Sequence, residues 1–102
     1  MCVRLERQHG MKHIDRAADL FKALGHQARL HIMVVLLEKP RSVGEITEAV
    51  DLSQPMASQH LRTLREAGLV TAAREGREVI YSVSDEHIGH VLADALEHVQ
   101  EE

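Results

Sequence analysis

Apolar positions in the first third of the chain repeat with the period of a helix. In "HIDRAADLFKAL", residues 13–24, Ile14, Ala17, Ala18, Phe21 and Leu24 follow the spacing of an amphipathic helix, which Gly25 can end. "HQARLHIMVVLLEK" predicts a second helix, stopped by Pro40 because a residue preceding proline is pushed out of helical geometry. "SVGEITEAV" predicts a third, with Ser42 as N-cap and Glu45 as its capping-box partner. A fourth follows in "DLSQPMASQHLRTLREAGLV". Ser53 caps it, and Pro55 sits in a first turn whose amides lack intrahelical acceptors. Met56, Leu61 and Leu64 are expected to point inward, Gln54, Ser58, Gln59 and Arg62 outward, with Gly68 closing the helix in a left-handed cap. The period then shortens. β-Branched residues on both sides of "REGRE" predict a two-stranded hairpin turning near Gly76. A last helix-like stretch, "DEHIGHVLADALEHVQEE", ends the chain.

Helix, short turn, helix, hairpin is the order of a winged helix-turn-helix, in which the second helix of the pair enters the major groove. The expected fold is therefore mainly α with a β-hairpin, one domain over residues 1–102. At this size a second subunit often completes the core, so a homodimer through the N- and C-terminal helices is expected. An apolar content of 44% with only 2% aromatics suits helices packed on helices. The single cysteine, Cys2, excludes an internal disulfide framework and fits a reducing cytosol. No apolar run approaches ~20 residues and no signal peptide precedes the chain, so a cytoplasmic location without a membrane partner is expected.

A net charge of −4 argues at first against a nucleic-acid partner. The charge is segregated, however. The last 18 residues hold six acids and no Lys or Arg, which leaves 12 basic against 10 acidic residues in the remaining 84. DNA binding needs only a local basic surface.

The stretches "LFKALGHQARLHIMVVLL", "VGEITEAVDLSQPMASQHLRTLREAGLV" and "REGREVIYSV" resemble the ArsR/SmtB family of bacterial metal-sensing repressors, over about residues 15–101. The resemblance implies a dimer on double-stranded operator DNA with an inverted repeat. It nominates Gln54, Ser58, Gln59 and His60 as base-reading residues at the start of the recognition helix, where Gln can bond adenine in a bidentate way. A partly buried histidine under the wing is the other reading of His60. Many members carry Ser or Thr where Pro55 stands, so one donor is missing. Arg62, Arg65, Arg74 and Arg77 form a basic cluster, and Arg74 and Arg77 flank the wing tip, suited to phosphate or the minor groove. Their alternative role is a solvated surface paired with Glu66, Glu75 and Glu78.

The acidic terminus carries the second candidate site. His87 and His98 stand eleven residues apart, roughly 16 Å along one helix, too far for a single metal with bonds of about 2.0–2.2 Å. Two antiparallel helices from two subunits would bring Asp85 and His87 of one beside His98 and Glu101 of the other, giving two equivalent sites. His87, Asp94, His98 and Glu101 fall on one stripe, with Ile88, Val91, Leu92, Ala95 and Val99 on the adjoining arc as the subunit contact. This pattern resembles the family's interhelical zinc site, carried over as Asp85, His87, His98 and Glu101.

Two nitrogens and two carboxylates suit tetrahedral Zn(II), while Co(II) and Ni(II) remain alternatives with His90 as an added ligand or Asp94 behind an imidazole. Thiolate-seeking ions fit poorly, because the family's cysteine-bearing segment falls at "SVGEI", which has no Cys. Cys2, His9 and His13 make a weak second N-terminal set, and His26 and His31 read as structural. Redox or another small ligand is the alternative signal. Zinc storage without DNA binding is disfavoured by the recognition helix and wing. No catalytic constellation is visible, so an enzyme is not expected.

Overall fold

The computed structural model describes residues 2–101, with side chains from Met11 onward. Its elements are α1 (Cys2–Leu24), α2 (Gln27–Glu38), β1 (Arg41–Ser42), α3 (Val43–Val50), α4 (Gln54–Glu66), β2 (Val70–Glu75), β3 (Glu78–Val83) and α5 (Glu86–Gln100). Cys2 and His9, two members of the weak N-terminal set, have side chains outside the described residues.

α1 begins eleven residues before the predicted start, since Gly10 weakens a helix without ending it. Its apolar face behaves differently from the expectation. Ala23 and Leu24 are buried and Leu20 is half-buried, whereas Met11, Ile14, Ala17, Ala18 and Phe21 are exposed, Phe21 to 57%. The helical period holds, but most of that face is left exposed by the described residues.

α2 supplies the centre of the core through Ile32, Met33, Val35 and Leu36. Around it pack Ile46 and Val50 of α3, Leu61 and Leu64 of α4, Leu69, Val70 of β2 and Leu92 of α5. The α3 capping box forms in full. The Ser42 Oγ accepts the Glu45 N–H at 3.2 Å, and the Glu45 carboxylate accepts the Ser42 N–H at 2.9 Å. That backbone hydrogen bond is the main reason the Glu45 carboxyl lies below its ordinary value. Asp51 closes α3 in left-handed geometry with φ 56°, tolerated by a short polar side chain.

Ser53 caps α4 by accepting the Met56 N–H at 3.3 Å, and Gly68 follows the helix with φ 79°. The buried stripe of α4 is Ala57, His60, Leu61 and Leu64. Met56, expected inside, is 45% exposed. It lies about 100° around the helix from Ala57, off that stripe.

The sheet has three antiparallel strands in the order β1-β3-β2, one more than predicted. A two-residue strand carries no periodicity to read. Arg41 pairs with Tyr81 and Ser42 with Ile80, so the hairpin is tied to the chain just before α3. β2 and β3 meet at Glu75 opposite Glu78, with Gly76 and Arg77 as the turn. Gly76 has φ 64° while Arg77 stays negative, the signs of a type II′ turn that matches strand twist. Among the described residues no helix is long and apolar enough to cross a membrane.

Candidate DNA interface and metal-ligating helix

α3, the Asp51–Ser53 turn and α4 form the helix-turn-helix, and β2–β3 is the wing beside it. Burial of Ala57, Leu61 and Leu64 leaves Gln54, Pro55, Ser58, Gln59, Arg62 and Arg65 exposed. An open cleft of about 310 Å³ lies between the wing and the start of α3, and both Gln54 and Arg77 line it. The start of α4 and the wing tip therefore share one concave surface. Arg74 and Arg77 are exposed, and among the described residues neither has an ion-pair partner. The pairing with Glu75 and Glu78 that the alternative reading called for is not formed; those two acids oppose each other across the hairpin.

His60 leaves the candidate DNA face. It is only 7% exposed and its ring packs on that of His26, with centroids 4.8 Å apart and planes tilted by 51°. A residue at this position on the buried stripe cannot present its ring to a base edge. Its neighbour is the first residue before α2 rather than the wing. The sequence signal was the stripe itself, since His60 stands three residues from Ala57 and four from Leu64.

α5 carries the metal candidates. Asp85 is its N-cap, with Oδ1 accepting the Ile88 N–H at 3.0 Å. His87 Nδ1 lies 3.8 Å from that same oxygen, and the His87 side chain is 94% exposed. His98 is in the last turn and Glu101 is the C-cap, both exposed. Among the described residues, no three His, Cys, Asp or Glu side chains of the chain come together as a metal-holding group. The donors instead make two exposed pairs at opposite ends of one helix. Each pair offers one imidazole and one carboxylate, half of a tetrahedral N₂O₂ set.

The apolar arc of α5 divides. Leu92 is buried and Ile88 half-buried in the chain's own core, so little of these two side chains is left for the expected subunit contact. Val91, Ala95 and Val99 remain exposed, between the buried side and the ligand stripe. At the root of α5 a hydrogen-bonded run reaches the recognition-helix candidate. The Ser84 N–H donates to Leu69 O at 3.0 Å, and the Leu69 N–H donates to Leu64 O at 2.9 Å.

Comparison with known proteins agrees with this architecture. Residues 26–72, from the α2 cap into β2, match the family described as bacterial regulatory protein, arsR family. The chain belongs to that family, one of transcription regulators rather than enzymes. It is 42% identical over 89 residues to the HTH-type transcriptional repressor SmtB of Mycobacterium tuberculosis, an alignment covering 87% of this chain and 66% of that protein. The chain thus spans about two thirds of that relative's length. The solution structure of the homodimeric winged helix-turn-helix domain Mb0332 from Mycobacterium bovis superposes with a TM-score of 0.79 at 32% identity, covering 87% and 86% of the two chains. HlyU from Vibrio cholerae, a transcriptional activator, superposes with a TM-score of 0.80 at 34% identity, covering 90% and 99%.

Proposed function

We propose that this chain is a homodimeric, metal-responsive transcriptional repressor. The metal-free dimer binds an inverted-repeat operator, and Zn(II) held between the α5 helices of two subunits favours a state with low DNA affinity. α5 carries this reading: two exposed half-sets of ligands, too far apart for one ion, beside an exposed apolar strip of Val91, Ala95 and Val99. An antiparallel partner helix would complete both sets. The unpartnered face of α1, with Ile14 and Phe21, would add to the same contact, consistent with the homodimeric relative.

Asp85, His87, His98 and Glu101 would hold the ion, which supplies a charge linking two subunits. Asp94, exposed on the same stripe, would support an imidazole. On the DNA side Gln54, Ser58 and Gln59 would read bases while Arg62, Arg74 and Arg77 meet phosphate. The run from Ser84 through Leu69 to Leu64 supports a route between the two sites, because a shift at the Asp85 cap pulls on backbone attached to α4. A coupling of ~1–3 kcal/mol is typical, and DNA must weaken metal binding by the same amount. His90, exposed at the edge of the stripe, favours a second reading with Ni(II) or Co(II) in a larger coordination shell.

Mixed dimers test the arrangement. His87→Ala and His98→Ala homodimers should both lack tight Zn(II) binding, since every site is one imidazole short. A heterodimer of the two concentrates both losses in one site and leaves the other whole. One near-normal site per heterodimer is expected in a Zn(II) titration; none would refute the intersubunit site. Co(II) absorption, strong for four ligands and weak for six, separates the two metal readings.

A further inference from the structure

His26 and His60 meet where α4 rests on the start of α2. His26 is the N-cap of α2, and its Nδ1 accepts the Ala28 N–H at 3.2 Å. That contact needs an unprotonated Nδ1. Protonating His26 would remove the acceptor, set an imidazolium at a helix N-terminus where the dipole opposes it, and bring the charge against the His60 ring. Protonating His60 would place a cation on the buried face of α4. Its imidazole already lies below its ordinary value, chiefly from burial, then from His26 and Arg29.

Arg29 is fixed nearby by donating its Nε–H to Ala23 O at 2.7 Å. The other charged groups around this packing are Asp19 and Lys22 of α1 and Glu66 of α4, which line a groove together with Arg29. Among all these, the groups acting on His60 are His26 and Arg29, and both oppose a proton there.

We propose that the His26–His60 pair is a proton-sensitive seat for α4: with both rings neutral α4 is held against α2, and protonation unseats it and weakens DNA binding. The DNA part rests on α4 being the recognition helix. A folded state that binds fewer protons than the unfolded chain is stabilised above the unfolded histidine value of about 6.5, and that stability is lost as pH falls below it. If the DNA-bound form excludes a proton that the free folded chain can take up, affinity should fall by up to about tenfold per pH unit once the pH drops below the folded His60 value, which lies under the unfolded one. A loss on acidification runs against the general electrostatic effect, since added positive charge ordinarily strengthens DNA binding.

The experiment uses the metal-free full chain between pH 8 and 5, with unfolding midpoints and operator affinity followed in parallel. His60→Leu keeps the buried volume without the proton site, and His26→Ser keeps the cap. The exposed histidines His13, His31, His87, His90 and His98 remain in both variants, so their effect is common to all three proteins. The wild type is expected to lose stability below about pH 6.5 and operator affinity at a lower pH, and each variant to lose much less of both. Variants that follow the wild-type curves, or a wild-type affinity that rises on acidification, would overturn the seat. A variant-sensitive stability loss with no DNA binding at any pH would uphold the seat and overturn the reading of α4.

Discussion

Removing the two wing arginines offers a quantitative test of the DNA surface. Arg74 and Arg77 are exposed and, among the described residues, hold no ion pair, so Arg74→Ala with Arg77→Ala breaks nothing inside the fold. Stability should change by less than about 0.5 kcal/mol. A dimer presents two wings and so four of these guanidinium groups. Each phosphate contact contributes about 0.9 to the slope of log affinity against log salt, which sets the loss at up to about 3.6 units. Between 50 and 200 mM salt, a fourfold change, that slope amounts to roughly two decades of affinity that the variant would no longer lose. Fluorescence anisotropy with operator and random duplexes at four salt concentrations measures it directly. The weakening should be equal on both duplexes, because phosphates carry no sequence. A slope identical to wild type would remove the wing from the interface.

Gln54→Ala should behave in the opposite manner, costing about 1–3 kcal/mol on operator and little on random DNA. Equal losses on the two duplexes would contradict base reading by this side chain. Phe21→Glu, on the unpartnered face of α1, should yield a folded monomer in sedimentation equilibrium while leaving circular dichroism unchanged. A stable dimer in that variant would exclude this face from the subunit contact.

The helix boundaries set by local chemistry were legible in sequence. Ser42 with Glu45, Ser53 ahead of Pro55, and Gly68 act through hydrogen bonds spanning three or four residues, which spacing alone reveals. Features that depend on distant partners were not. The β1 strand exists only because Tyr81 and Ile80 come back beside Arg41 and Ser42. His60 has the polarity of a base reader, yet its position on the Ala57–Leu64 stripe decides its burial. The α1 face illustrates the limit most clearly: periodicity identifies an apolar stripe without saying whether the surface that covers it belongs to the same chain. The α5 ligand candidates stand out as a spacing, and the structure adds that Ile88 and Leu92 pack in the chain's own core.

Asp85 both caps α5 and belongs to the proposed ligand set, and this double duty restricts which substitutions the proposed site can accept. Changing His87, His98 or Glu101 alters a side chain and leaves the helix backbone satisfied. Changing Asp85 to a thiol or an imidazole for a softer metal also gives up a first-turn hydrogen bond, a loss of about 1 kcal/mol on a short helix. Asn, Ser and Thr keep the cap, and each is a weaker ligand than the carboxylate. New metal preferences at the proposed site would therefore be most accessible by adding donors at the far end of α5, while Asp85 at the near end stays an oxygen donor.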